Sequence, residues 1–374
     1  MESLPRLERI EVLEVAVPRT QRRVVTAYGD IAESRYALVR IAADGLTGIG
    51  EAPAECWWTG EDAVTVRNAV ERYLAPALIG REPTLAEAAG IMNCAVAASP
   101  YAKAAVETAL WDLVGKQTGK PLHRLLGGPT RPVSVKYGIG AVSPAEAREA
   151  VAAGKELGFA WFKVKGTADA TADRARFQAV AETLGQADHF GVDANAAWTR
   201  QEAFDQLDAL GELAVAFLEQ PIARRDAAGL VELRSRAPMP VIAHESLFTV
   251  EDGLRAAADG IADVWALTPG THGGLLATLE LVSLAREQGI GCLLGSTFEL
   301  GIATALMAHL ASAVDELALG AIPSDVVGPL YHEDDVVRPR PEIMDGTITP
   351  PEGPGLGVEL DPEQLRRFGV GTNE

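Results

Sequence analysis

Apolar residues along this chain follow two rhythms, and the change comes at Pro132. Before it, apolar positions set among charged ones (Leu7, Ile10, Val12, Val15) and a β-rich second run predict strands over 6–18 and 35–52. Asp44-Gly45 is a tight turn that divides the second stretch. Residues 19–33 (RTQRRVVTAYGDIAE) form a long loop, a kind that often covers a site. Helical periodicity follows over 61–78, 83–97 and 101–119, and Gly119-Lys120-Pro121 stops the last of these. Residues 1–130 therefore read as an α+β unit, strands first and helices after.

From Pro132 onward, short apolar runs alternate with amphipathic helical segments. The runs are 133–139, 160–164, 189–193, 215–219, 240–244, 262–267, 290–294 and, less clearly, 316–319. Their spacing of roughly 25 to 30 residues is that of β/α units, and eight such units make a parallel barrel of the TIM type. The α/β barrel is expected over 131–322. After Pro323 the chain turns Pro-rich and irregular, and 323–374 is expected to return to the N-terminal unit and complete it as a capping domain.

Composition narrows the class. A chain of 374 residues, 48% hydrophobic and 23% charged, can bury a large core. A formal charge of −19 argues against nucleic acid and anionic membranes as partners. Cys56, Cys94 and Cys292 are odd in number and far apart, which fits a reducing compartment and suggests no disulfide framework. The N-terminus carries no charged leader followed by an apolar core, and no apolar run is long enough to span a bilayer. A cytoplasmic enzyme is expected.

The candidate chemistry lies where the apolar runs end. Lys163 and Lys165 are two residues apart, so in a strand they share a face. Two close ammonium groups repel, which eases the loss of a proton and suits one of them to act as a base. Asp193, Glu219 and Glu245 then close three successive runs. In a β/α barrel the catalytic groups stand at these C-terminal strand ends.

These motifs resemble the muconate-lactonizing-enzyme-like branch of the enolase superfamily. The resemblance extends over nearly the whole chain. It rests on Gly48-Ile49-Gly50-Glu51-Ala52-Pro53, Trp58-Thr59-Gly60-Glu61, the segment AKAAVETALWDLVGKQTGKPLHRLLGG from Ala102 to Gly128, Lys163-Val164-Lys165, Asp193-Ala194-Asn195, Glu219-Gln220-Pro221 and Gly295-Ser296-Thr297-Phe298-Glu299. It implies a modified barrel beneath an α+β cap, and Mg²⁺ held by three acidic strand ends. The reaction implied is removal of the proton α to a carboxylate, giving an enediolate that the cation stabilises. Lys165 is then the base, Lys163 keeps its pKa low, Asp193 and Glu219 bind the metal, and Asn195 and Glu299 stand near the site. The family's barrels also imply a homo-oligomer acting on a small carboxylate.

Two departures from that pattern qualify what it implies. Where the family has an Asp as third ligand, this chain reads Ala243-His244-Glu245-Ser246, which leaves the third ligand to His244, to Glu245 or to neither. Imidazole is a poor ligand for Mg²⁺ and a better one for Mn²⁺ or another transition ion. Thr268 stands where the family has the lysine of the opposite substrate face, and threonine cannot titrate there. His272 is nearby and can titrate, although its place beside Gly273-Gly274 also suits a loop histidine.

One evident base favours a one-base reaction: muconate-type cycloisomerisation or a syn dehydration. The alternatives are a racemase or epimerase of an amino-acid derivative, and a degenerate binding protein. Among Arg19, Arg22 and Arg23 of the long loop, Arg22 is the expected contact for a second substrate carboxylate. Trp57-Trp58 is a candidate lid over the substrate.

Overall fold

Alternating burial in the first fifty residues builds a meander of three antiparallel strands, β1 (Leu7–Pro18), β2 (Glu33–Ala43) and β3 (Leu46–Ala52). Asp44 and Gly45 join the last two with φ of 48° and 72°, as a hairpin with the native twist requires. This computed structural model describes residues 3–20, 25–27, 29–53 and 55–370. The helix Pro100–Thr118 packs across β3 and is buried on almost every face. The cap is tied to the barrel by carboxylates that accept backbone hydrogen bonds. Glu51 on β3 accepts from Leu300 N (2.7 Å) and Ala303 N (3.0 Å), at the start of the barrel helix Gly301–Ala313.

Seven parallel strands lie side by side in chain order. They are Tyr137–Ile139, Trp161–Lys165, His189–Asp193, Leu218–Glu219, Val241–Ala243, Val264–Leu267 and Gly291–Leu294. The eighth strand expected at 316–319 is not there: Asp315–Ala318 is a helical turn. So short an apolar run carries no usable period, and its acidic start suits a helix N-terminus. The gap between the last strand and the first is closed by the chain around Ser324. Asp325 N donates to Leu294 O (2.7 Å), and Lys136 N donates to Ser324 O (3.1 Å). The chain then reaches the cap, where Val370 N donates to Glu14 O (2.9 Å) and the helix Pro362–Phe368 packs on β1. No helix among the described residues is long and apolar enough to cross a membrane.

Period-two alternation positions the site. Phe217, Ile242, Ala266, Leu293 and Ile322 form a small core inside the curled sheet. Two residues further along the first four of these chain segments come Glu219, His244, Thr268 and Gly295. The inward register that fills the barrel therefore delivers these positions to its C-terminal mouth.

Candidate active site

Lys163 and Lys165 both point into the barrel and are buried. Lys165 Nζ donates to Asp193 Oδ2 (2.6 Å) and to Asn195 Oδ1 (2.9 Å). Asn195 N in turn donates to Asp193 Oδ1 (2.9 Å). Asn195 and Ala196 take φ of 46° and 59°, so the chain bends sharply just past the strand end. Lys163 Nζ meets a different set: Asp325 Oδ2 at 2.7 Å, Glu219 Oε1 at 3.3 Å and Asp193 Oδ2 at 3.4 Å.

Lys163, the lysine expected to depress its neighbour's pKa, is itself held strongly basic. Burial opposes its charge, but Asp325, Glu219 and Asp193 outweigh burial and hold its pKa well above the ordinary value. Asp193 and Asp325 are likewise buried, yet the facing lysines hold both carboxyls below the usual range. Lys136, buried beside Asp325 at 3.2 Å, completes the cluster. Asp325 was not legible as a site residue, because it follows Pro323 in a segment without strand or helix periodicity.

His244 and Thr268, the two departures, are joined to each other. His244 Nδ1 donates to Glu219 Oε1 (3.0 Å), and Nε2 pairs with the Thr268 hydroxyl (3.0 Å). Burial works against a charged imidazole, but Glu219 and Glu245 outweigh it and raise the His244 pKa. Gln220 holds the turn, accepting from His244 N (2.9 Å) and Ser246 N (3.2 Å). A Cβ at position 295 would collide with the His244 ring and the Thr268 hydroxyl, so Gly295 is what makes room for them. The Trp58 ring stands edge-on over the imidazole, with centroids 4.7 Å apart. Glu245 is also buried and accepts from Asn195 Nδ2 (2.8 Å).

The remaining candidates divide. His272 Nε2 accepts from Thr268 N (3.0 Å), and burial lowers its pKa to about 4, so it is a neutral tie within its turn. Glu299 turns back on its own loop, accepting from the Ser296 hydroxyl (2.5 Å) and from Thr297 N (2.7 Å). Arg22 lies outside the described residues. Arg19 is described, and it lines a cavity together with Glu55, Trp57, Trp58, Lys165, Asn195, Ser296, Thr297 and Phe298. Its guanidinium lies 4.2 Å from the centroid of the Phe298 ring, donates to the Ser34 hydroxyl (2.6 Å) and faces Glu55 at 3.4 Å. Burial, partly offset by Arg19, raises Glu55 to about 7.

An inward lysine over a carboxylate-lined barrel mouth, closed by an α+β cap, is the architecture of enolase-superfamily enzymes. The family described as mandelate racemase / muconate lactonizing enzyme, N-terminal domain, matches residues 9–127, and enolase C-terminal domain-like matches 145–364. The chain belongs to this family of the enolase superfamily and is an isomerase of the cycloisomerase type. It is 35% identical to muconate cycloisomerase 1 of Rhodococcus opacus, with 96% of each chain covered. It is 30% identical to a chloromuconate cycloisomerase of Pseudomonas putida, over 97% of this chain and 99% of that one. A muconate lactonizing enzyme from Pseudomonas fluorescens, solved with muconolactone, superposes with a TM-score of 0.94 at 30% identity, covering 98% of this chain and 100% of the other.

Enzymes of this family use a divalent metal. The donors present here do not fit one held by three side chains. Asp193 and Glu219 are both engaged by ammonium groups, and Asp193 Oδ1 also accepts a backbone N–H. Both nitrogens of His244 are committed to neighbouring side chains, and Glu245 is held by Asn195. Among the described residues, no three His, Cys, Asp or Glu side chains are grouped to hold a metal ion.

Proposed function

We propose that this chain interconverts a muconate-type dicarboxylate and its lactone, with Lys165 as the only group that moves the proton. The observation carrying this reading is the pairing of Lys165 and Arg19 in one cavity. Lys165 is the proton-transfer group, and Arg19 supplies a fixed positive charge for a second carboxylate. In the lactonising direction one substrate carboxylate oxygen adds to the conjugated double bond. Electron density moves onto the carbon α to the other carboxylate, and the Lys165 ammonium protonates that carbon. Solvent then returns a proton to Lys165. The reverse reaction starts with neutral Lys165 removing the same α-proton.

Asp193 and Asn195 aim the Lys165 amine, while Trp57 and Trp58 close the cavity from the cap side. Thr268, hydrogen-bonded to His244, offers no second base, which disfavours racemisation. The relatives named for muconate and chloromuconate point to the same substrate class. The resemblance would place Mg²⁺ or Mn²⁺ at the strand ends, and no step here is routed through either.

The test follows loss of the conjugated-diene absorbance of cis,cis-muconate with purified protein, and exchange of the lactone α-proton in heavy water. Wild type should support both. Lys165→Met should lower both by about 10²–10⁴, the range for removal of a general acid–base group. Retention of either activity in that variant would overturn the role given to Lys165.

A further inference from the structure

We infer that this chain has given up the family's divalent-cation site: the His244–Thr268 pair is built across the third ligand position, and the Lys163 ammonium stands between Asp193 and Glu219. The inference rests on the proposed reading of this site as the reaction centre. It draws on three observations that point the same way.

First, Lys163 Nζ lies within 3.4 Å of both Asp193 Oδ2 and Glu219 Oε2, and 2.7 Å from Asp325 Oδ2. A metal bridging Asp193 and Glu219 would have to sit about 2.0–2.6 Å from their oxygens, directly against that ammonium. Asp325 anchors the lysine from the far side.

Second, His244 is fitted into place. Its ring nitrogens bridge Glu219 and Thr268, its backbone is held by Gln220, and Gly295 leaves the space that the ring occupies. A ligand position that had merely decayed would not come with a matched hydroxyl, and Thr268 supplies one. For Nδ1 or Nε2 to bind a metal, the ring would have to give up Glu219 or Thr268.

Third, the two departures offset each other in formal charge. Relative to the family pattern, the chain lacks one carboxylate at position 244 and one lysine at position 268. The replacement pair is hydrogen-bonded at 3.0 Å, as expected of positions that changed as a unit.

The test is calorimetric titration of Mn²⁺ into the full chain after chelation and desalting, with no substrate present. Wild type should show no one-to-one binding tighter than about 1 mM, a free energy near −4.1 kcal/mol. His244→Asp should acquire one site at least tenfold tighter, seen also as quenching of the Mn²⁺ electron-spin-resonance signal. If that variant fails to fold by near-ultraviolet circular dichroism, His244→Asp with Thr268→Lys restores the family pair and replaces it. One-to-one binding by wild type that Glu219→Gln abolishes would overturn the inference. Failure of the folded variant to gain a site would overturn the part assigned to His244. Because the titration contains no substrate, its failure is separate from failure of the cycloisomerase reading, which the muconate assay alone decides. That assay, run in chelator, should be unaffected.

Discussion

Lys163 Nζ and Asp325 Oδ2 are 2.7 Å apart, and they join the second barrel strand to the segment that closes the barrel after the seventh. Both side chains are buried, and Lys136 approaches the same carboxylate at 3.2 Å. Asp325→Asn would leave two buried ammonium groups short of a counter-charge. Removing one partner of a buried pair destabilises by about 3–5 kcal/mol. Urea unfolding should show a loss of that order, and a loss below 1 kcal/mol would mean that the closure segment does not depend on the pair.

Arg19 reaches the cavity, stacked on Phe298 and fixed by Ser34. Its planar fork suits a carboxylate in a way that a lysine ammonium does not. Arg19→Lys should raise KM for muconate about tenfold, the equivalent of 1.4 kcal/mol, with a smaller change in kcat. Steady-state kinetics decide it. An equal fall in kcat with KM unchanged would place Arg19 on the reacting end of the substrate instead.

Gly295→Ala tests how His244 is seated. The added methyl would strike both the imidazole and the Thr268 hydroxyl. Overpacking of this kind costs about 1–3 kcal/mol, and here the ring must move off Glu219 to relieve it. The variant should melt lower and lose most of its turnover. A variant that lost stability alone would show that the seating of His244 does not matter to the reaction.

Much of this arrangement was legible in the sequence. Each of the seven strands is an apolar run, and period two alone brings Lys163, Lys165, Asp193 and Glu219 to the mouth, because inward alternation is a local property. The closure was not legible. Asp325 sits in a bridge of a few residues after Pro323, where no repeat is long enough to show a period. The surroundings of Lys163 were not legible either. The sequence shows that Lys163 and Lys165 are neighbours but not that three carboxylates from distant segments converge on the first. Arg19, Arg22 and Arg23 carry the same chemistry, and of the three Arg19 alone lies among the described residues.

A last prediction concerns pH. His332 is buried, donates through Nδ1 to Gly328 O (3.0 Å) and meets the Tyr36 hydroxyl on β2 at 2.7 Å. Burial lowers its pKa to about 3. A histidine with a depressed folded-state pKa stays neutral in the fold while the unfolded chain protonates near pH 6.5. The unfolded state then binds more protons, so stability is full above pH 6.5 and is lost as pH falls toward the folded value. Total stability against pH will not isolate this, because burial raises Glu51 to about 8 and Glu107 to about 7, which tilts the curve the other way over part of the range. The difference between wild type and His332→Gln does isolate it. That difference should be greatest at pH 7 and shrink by about 1.4 kcal/mol per unit below pH 6.5, as one linked proton requires. Urea unfolding of both proteins at pH 7, 6 and 5 measures it. A constant difference would mean that His332 titrates alike in the folded and unfolded chains, and that its contact with Tyr36 ties cap to barrel without any dependence on its charge.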